Sequence, residues 1–359
     1  MAPPWYEVPP GRYGGIEWIC WGLAEGLRLR GHEVVLVAAG SNRTSAQFIQ
    51  TYAEPPSSRV GDALPEVVHA AEAHAALSRL DLDVVHDHSV AGPLLAPSRV
   101  APTMVTVHGP IRSEFLRMYG ALGEAISLVA ISEAQRAQAP ELRWVGVVYN
   151  GIPVRDYPYR ERKEDFALFL GRLNPEKGPH VAIEACRRAR VPLVLAGRCN
   201  EPGERAYYEQ AIRPLLGDDT VWAGEVDLET KKDLLSRARC LVFPICWEEP
   251  FGLVMVEAMA CGTPVIALRR GSVPEVVEQG VTGILAEDVT GLASGIARAS
   301  NIRPRACRER AAARFDVDVM VGGYEAIYRR ALDRPGALMS PGEGASRPGS
   351  DVLSRHGDR

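Results

Sequence analysis

Short apolar runs rich in β-branched residues alternate with longer amphipathic segments along nearly the whole chain. The runs cover residues 33–39, 83–86, 103–108, 128–131 and 145–149, and then 167–170, 193–196, 220–222, 240–244, 264–268 and 283–285. Continuous apolar runs of this length are typical of strands buried on both faces. Strands that alternate with helices predict parallel sheets covered by helices on both faces, an α/β fold.

The strand–helix pattern restarts after residues 150–153, and the polar stretch 155–165 has the composition of a linker. A length of 359 residues also agrees with two domains. We therefore predict two doubly wound, Rossmann-like domains, over 1–150 and 151–315, that face each other across a cleft. Residues 316–332 are predicted to form a helix that crosses back to the first domain. Residues 333–359, rich in Gly, Pro, Ser and Arg, are predicted to be disordered.

The first predicted helix, at 15–30, has no strand before it. In a doubly wound sheet the first strand is central, with a neighbour on each side. The sequence therefore predicts a first domain that lacks its usual first strand. We expect the natural chain to carry an apolar run of about six residues, the length of an ordinary strand, upstream of Ala2.

Charge and cysteine content argue against several classes of protein. The net charge is −4 at pH 7, so no basic surface for nucleic acid is expected. The seven cysteines lack C-x-x-C spacing, which argues against a zinc site or a disulfide framework and favours a reducing compartment.

No apolar stretch reaches the ~20 residues that span a bilayer, and no signal peptide is visible. We expect a cytoplasmic protein, with peripheral contact to the inner membrane face left open.

The strongest local signal is the segment 247–265, which follows a predicted strand and opens a helix. Pro250 suits a first helical turn, and Gly252 lets the backbone approach a ligand closely. The free N–H groups and the positive dipole end of such a helix suit a phosphate. Glu249 and Glu257, eight positions apart, can face one ligand from different heights along the helix.

A second signal, at residues 169–178, also follows a strand and opens a helix. Arg172 can hold two phosphate oxygens with its planar fork, and Lys177 adds a point charge. Cations at a helix start are mildly unfavourable, which makes an anionic ligand more plausible there. The two side chains together can neutralise a diphosphate without a metal ion.

These two segments, with 224–226 and 271–277, closely resemble family 4 glycosyltransferases, a group of retaining enzymes with the two-domain GT-B fold. The resemblance runs from Tyr13-Gly14-Gly15 through 150–152 to the last helix. It implies that the first domain is on the acceptor side and that the second binds the nucleotide sugar. It implies that Glu249 contacts the donor sugar, that Glu257 holds the ribose, and that the diphosphate and base lie near Arg172, Lys177, Phe251, Gly252, Leu253, Glu225 and Val226.

Three positions in the first domain complete the predicted site. His108 follows a strand, and the resemblance implies that it contacts the donor sugar near its 6-hydroxyl. Gly14 and Gly15 would let the first loop approach the β-phosphate or the acceptor. His88 also follows a strand and is a candidate acceptor contact. The string 86–89 looks like a metal cluster, but adjacent residues on a strand point to opposite faces.

The predicted function is retaining transfer of a hexose-type sugar from a nucleoside-diphosphate donor, with a UDP-sugar favoured. The acceptor stays open among lipids, saccharides and small metabolites, and no cofactor and no metal are expected. An inactive nucleotide-sugar-binding protein and a nucleotide-sugar epimerase are the alternatives. Two Asp-x-Asp pairs, at 81–83 and 316–318, are interpreted as solvated or helix-capping residues rather than metal ligands.

Overall fold

A computed structural model describes residues 1–11, 14–41 and 43–333. The strands are β1 (Val35–Ala38), β2 (Gln47–Gln50), β3 (Val85–Asp87), β4 (Thr103–Val107), β5 (Ile126–Ala130), β6 (Trp144–Val147), β7 (Ala167–Leu170), β8 (Leu193–Ala196), β9 (Thr220–Trp222), β10 (Cys240–Phe243), β11 (Val265–Leu268) and β12 (Gly283–Ala286). The helices are α1 (Gly15–Leu29), α2 (Ala63–Leu77), α3 (Ser113–Leu122), α4 (Glu133–Ala137), α5 (Pro179–Ala189), α6 (Pro202–Tyr207), α7 (Leu228–Arg237), α8 (Leu253–Ala260), α9 (Val273–Val276), α10 (Val289–Ala297), α11 (Pro304–Phe315) and α12 (Val317–Leu332).

The second half of the chain forms one six-stranded sheet, and all its strands pair in parallel. The strand order is β12-β11-β10-β7-β8-β9. The direction of winding reverses between β7 and β10, which makes their carboxyl ends the topological switch point where ligands bind in such sheets. Except for the edge strand β9, in which Val221 is exposed, the strands are almost fully buried, as their apolar sequences predict.

The first half of the chain forms two parallel sheets, β1-β2 and β3-β4-β5-β6. The described residues contain no strand before α1. Met1 and Ala2 lie between the two sheets. The Met1 ammonium donates to the His86 carbonyl at 2.6 Å, and the Ala2 N–H donates to the Val37 carbonyl at 2.9 Å. An apolar run upstream of Ala2 stays a prediction.

The last helix, α12, packs on the first half of the chain. Its apolar face joins α1 and the sheet in one cluster: Ile19, Leu23, Leu27, Met104, Val129, Val148, Met320, Val321, Tyr324, Ile327 and Tyr328. Beside the start of α12, the Ile152 N–H donates to the Phe315 carbonyl at 3.0 Å, and the Val317 N–H donates to the Ile152 carbonyl at 2.9 Å. The chain therefore passes between its two halves twice, and the two passages are hydrogen-bonded to each other.

The structure confirms the α/β class and the two parallel-sheet halves. The sequence analysis missed β2, because Gln47 and Gln50 are polar and the strand is only half-buried. Residues 202–215 form α6 followed by a π turn and a 3₁₀ turn, with Pro214 in the last turn. Pro250 does not lie in a first helical turn, because α8 begins at Leu253. Tyr13 and nearly all of the predicted disordered tail, residues 334–359, lie outside the described residues.

None of the described helices is both long and apolar enough to cross a bilayer.

Candidate active site

A cleft of about 1230 Å³ opens between the two halves of the molecule. Its walls include every site residue that the sequence analysis named: Gly14, Gly15, His88, His108, Arg172, Lys177, Glu225, Val226, Glu249, Phe251, Gly252, Leu253 and Glu257. Apart from Gly14 and Gly15 at the start of α1, these residues follow the carboxyl ends of β3 and β4 on one side and of β7, β9 and β10 on the other. The cleft therefore lies where parallel sheets place their ligands.

Glu249 and Glu257 are held in the same way. Lys177 Nζ donates to Glu249 Oε2 at 2.5 Å, and Lys231 Nζ donates to Glu257 Oε1 at 2.6 Å. The second oxygen of each carboxylate makes no hydrogen bond to a described residue. Each glutamate is thus oriented by a lysine and keeps one acceptor oxygen for a ligand hydroxyl.

Tyr157, in the segment after the first passage between the halves, also supports Glu257. Its hydroxyl donates to Glu257 Oε1 at 3.0 Å. Burial of the phenol, together with the neighbouring Glu257 carboxylate, raises the pKa of Tyr157 well above its usual range. The tyrosine therefore stays a neutral donor at any physiological pH and helps to fix the carboxylate.

The N-terminus of α8 has no side-chain cap, and its first residues line the cleft. Gly252 precedes the helix with φ 77°, a left-handed conformation that favours glycine. A Cβ there would lie 2.8 Å from Met255 Cε. The backbone N–H groups at the start of α8 therefore face the cleft without a competing side chain, which suits an anion.

The turn at residues 271–272 fixes the loop that carries Glu249. The Ser272 N–H donates to the Glu249 carbonyl at 2.9 Å, and Ser272 Oγ donates to the Phe251 carbonyl at 2.9 Å. Gly271 has φ 50°, and a Cβ there would lie 2.3 Å from the Glu249 carbonyl oxygen. The segment 271–277, one of those that resemble family 4 glycosyltransferases, thus includes a turn that positions Glu249.

Arg172 follows β7 and projects into the cleft with about a third of its side chain exposed. Its Nε donates to Glu204 Oε1 at 2.5 Å, and its terminal nitrogen lies 2.7 Å from Glu201 Oε2. On the same wall, Glu225 accepts a hydrogen bond from Asn200 at 3.1 Å. The guanidinium is thus oriented by two carboxylates at the start of α6, the N-cap residue Glu201 and Glu204 in the first turn.

His108 and His88 form a hydrogen-bonded pair on the opposite wall, with Nε2 and Nδ1 separated by 2.8 Å. Burial lowers the pKa of His108 to about 4 and the pKa of His88 well below its usual range, with neighbouring histidines adding to the effect at His88. Both imidazoles are neutral at pH 7. One nitrogen of the pair must donate and the other accept, which couples the orientation of His108 to that of His88.

Gly14 and Gly15 open α1, a second helix whose N-terminus has no side-chain cap and lines the cleft. A Cβ on Gly15 would lie 3.2 Å from Leu253 Cδ1. The first residues of α1 and of α8 therefore nearly touch across the cleft. Two positive helix ends converge there, at a place that both halves of the molecule share.

The cleft residues that were not predicted from the sequence include Asn150, Tyr157 and Lys231. Asn150 is buried, and its Oδ1 has no hydrogen-bond partner among the described residues. In the sequence, Asn150 lies at the boundary between the two predicted domains. That position gave no sign that its side chain lies in the cleft. Tyr157 and Lys231 lie 100 and 26 residues from Glu257 and carry no local pattern that pairs them with it.

The strings that resembled metal ligands have other roles. Asp316 caps α12 and accepts hydrogen bonds from Asp318 N and Val154 N, and Asp81 and Asp83 are exposed before β3. His86 contacts the Tyr328 hydroxyl and Thr106 Oγ1, at 2.6 and 2.8 Å. Across the described ranges, no group of three or more His, Cys, Asp or Glu side chains is placed to hold a metal ion.

Two family models match the chain. One, described as Glycosyltransferase Family 4, matches residues 13–156, and the other, Glycosyl transferases group 1, matches residues 158–314. The α-maltose-1-phosphate synthase of Mycobacterium tuberculosis is 30% identical over 354 residues, 82% of this chain and 87% of that protein. The glycogen synthase of the same organism is 27% identical over 394 residues, 91% and 93% of the two chains.

The fold is that of known transferases too. The crystal structure of HepE from Anabaena, in complex with UDP and glucose, superposes with a TM-score of 0.70 at 20% identity and covers 89% of this chain and 97% of that one. Both halves of the chain match, the identity to a curated relative holds over most of its length, and the fold agrees. The chain belongs to glycosyltransferase family 4 and has the GT-B fold.

Proposed function

We propose that this glycosyltransferase moves a hexose from a UDP-sugar to a hydroxyl acceptor, with retention of the anomeric configuration and without a metal ion. The observation that carries the proposal is the pair of glutamates in the cleft. Each is fixed by a lysine through one oxygen and keeps the other oxygen free of described partners. Two such acceptors suit the two sets of hydroxyls in a nucleotide sugar, the ribose and the hexose.

Glu257 is the ribose ligand in this proposal. It is 12% exposed, and both Lys231 and Tyr157 fix the same oxygen, Oε1. A carboxylate held this rigidly loses little entropy when it accepts hydrogen bonds from a vicinal diol. UDP as the nucleotide is supported by the complexes of HepE with UDP and with UDP-glucose.

The diphosphate lies, in this proposal, between the N-terminus of α8 and the cations Arg172 and Lys177. These groups stabilise the charge that builds on the leaving phosphate when the anomeric C–O bond breaks. Removal of one such preorganised donor typically costs about 3 kcal/mol in the barrier. Positive charge supplied in this way takes the place of a divalent cation.

Glu249 and His108 orient the hexose from opposite walls. His108, neutral and held by His88, supplies a hydrogen bond to a sugar hydroxyl without adding charge. Retention through attack on the same face, with the leaving phosphate assisting deprotonation of the acceptor, is supported by the resemblance to the family. We place the activity in the cytoplasm, with contact to the inner membrane face left open, because the described cysteines are free thiols.

The test combines UDP release with nucleotide binding. Glu257→Ala should weaken UDP affinity by about tenfold or more, because a hydrogen bond to a charged group is worth about 1.5–3 kcal/mol. Glu249→Ala should lower turnover more than UDP affinity, and Lys177→Ala should lower turnover even with added magnesium. Glu287→Ala, which removes a surface partner of Arg269, is the control.

Chelator should leave the parent activity unchanged. The proposal is wrong if Glu249→Ala and Glu257→Ala bind UDP and turn over like the parent. Loss of activity in chelator, restored by manganese, would refute the metal-free part alone.

A further inference from the structure

The two walls of the cleft differ in charge. All the cationic side chains among its described lining residues come from the second half of the chain: Arg155, Arg172, Lys177, Arg198, Lys231 and Lys232. The lining residues described between 1 and 150, here called the N-terminal wall, include no lysine and no arginine. Its carboxylic acids are Glu17 and Glu25.

Histidines do not change this balance. His88 and His108 lie on the N-terminal wall, and burial keeps both neutral at pH 7. α12 borders the cleft on this side through Val317, Asp318 and Val319, which adds another carboxylate and no cation. Apart from the N–H groups at the start of α1, an anionic group that entered here would gain no described positive partner in return for its lost hydration, which is costly.

The N-terminal wall is instead rich in aromatic rings: Trp5, Tyr6, Trp18, Trp21, Phe115 and Tyr119. Trp18 and Trp21, one turn apart on α1, meet edge to face with ring centroids 5.5 Å apart. The buried Nε1 of Trp21 has no hydrogen-bond partner among the described residues. This nitrogen is closed off from the cleft, so Trp21 contributes only its ring to the wall.

We propose that the acceptor is an uncharged saccharide, whose ring lies against the Trp18–Trp21 pair on the N-terminal wall. This inference rests on the proposed function, because it takes this wall as the acceptor side. The C–H groups of one pyranose face pack on an indole ring. The sugar hydroxyls find the Glu25 carboxylate on α1 as an acceptor. The carboxylates of Glu25 and Asp318 repel a phosphorylated acceptor, whereas burial keeps Glu17 neutral, and this repulsion gives specificity by exclusion.

One cationic side chain of the second half, that of Arg198, contacts the N-terminal wall. Arg198 donates to the Tyr6 hydroxyl at 2.6 Å. If a phosphorylated acceptor were the true substrate, Arg198 is the described side chain that would have to turn towards it. Arg198→Ala therefore distinguishes the two cases, because it should not weaken the binding of an uncharged saccharide by more than about twofold.

The test is calorimetric titration of the full chain, saturated with UDP, with maltose, glucose 1-phosphate and glucose 6-phosphate. Maltose should bind at least about tenfold more tightly than either phosphate, a difference of about 1.4 kcal/mol. Trp18→Ala should weaken maltose binding and leave UDP affinity unchanged, and Trp18→Phe should retain most of the affinity. Trp144→Ala is the control, because Trp144 lies away from the cleft and donates to the Ala139 carbonyl.

A variant that gains affinity tests the inference in a way that misfolding cannot imitate. Phe115 is 36% exposed on α3 at the edge of the N-terminal wall. Phe115→Arg should raise affinity for glucose 6-phosphate by about two- to fivefold, the value of one partly exposed ion pair, and leave maltose affinity unchanged. Tighter binding of a phosphate than of maltose by the parent would overturn the inference, as would no binding of any sugar with UDP bound. Failure of UDP itself to bind would instead refute the proposed function.

Discussion

Glu17 shows how far a single residue can depart from what its sequence position predicts. A glutamate in the first turn of a helix is normally ionised and solvated, because it interacts favourably with the helix dipole. Here the residue is 3% exposed and makes no hydrogen bond or ion pair to another described residue. Burial raises the pKa of Glu17 to about 8. The burial depends on tertiary packing around the cleft, which no local pattern reveals.

The raised pKa predicts a pH-dependent stability. Below pH ~4 the carboxyl is protonated in both folded and unfolded chains. Between pH ~4.5 and 8 only the unfolded chain ionises, so the free energy of unfolding falls by about 1.4 kcal/mol per pH unit at this site. Glu17→Gln should remove this slope and stabilise the protein at pH 8 relative to the parent, by a few kcal/mol, but not at pH 4.5. Urea unfolding of both proteins across this range measures it.

Glu114→Gln is the matched control for that experiment, because Glu114 also lies in a first helical turn and is exposed. Its stability profile should follow that of the parent. Parallel profiles for Glu17→Gln and the parent would show that Glu17 is ionised in the folded protein.

Helix α8 could be predicted from the sequence, but the contacts of the two cleft glutamates could not. Its sequence predicted a helix whose N-terminus faces a ligand, and the structure differs in that Pro250 precedes the helix instead of lying in its first turn. The sequence could not show that Lys177, before α5, and Lys231, in α7, would each reach a different glutamate of the 247–265 segment. Those pairings depend on the switch point between β7 and β10, which is a property of the sheet rather than of a motif.

Gly252→Ala tests the start of α8. The residue has φ 77°, and the new Cβ would press on Met255 and on the Phe243 ring, so both stability and UDP affinity should fall, stability by about 1–3 kcal/mol. Gly280→Ala is the control, because Gly280 has φ 76° but open space around it. Thermal melting should show a smaller loss for Gly280→Ala, and titration should show unchanged UDP affinity. Equal losses of UDP affinity in both variants would mean that the α8 N-terminus does not bind the nucleotide.

At the scale of the whole molecule, a carboxylate of one half caps a helix of the other. Glu275 accepts hydrogen bonds from the Glu133 and Ala134 N–H groups at the start of α4, at 2.8 and 2.7 Å, and from the Tyr149 hydroxyl at 3.0 Å. The alternation of strands and helices predicted two halves and a cleft, but contacts of this kind across the cleft have no sequence signature.

Glu275→Ala should loosen the two halves, because the N-terminus of α4 then loses its partner across the interface. Small-angle scattering should give a larger radius of gyration for this variant without donor than for the parent, and added UDP-glucose should reduce it. Glu278→Ala, which breaks an ion pair with Arg310 inside the second half, should scatter like the parent. An unchanged radius for Glu275→Ala would show that the cap does not hold the halves together.

The helix α12 has a consequence for how such chains can recombine. Tyr324 and Tyr328 complete the apolar core of the first half, although they follow the whole of the second half in sequence. A chimera that exchanged residues 1–150 alone would pair a foreign α1 with a resident α12, and Val321 would meet a position fitted to the glycine at 26. A recombinant that keeps an intact first half therefore needs crossovers at two distant points of the gene, so that α12 comes from the same parent as residues 1–150.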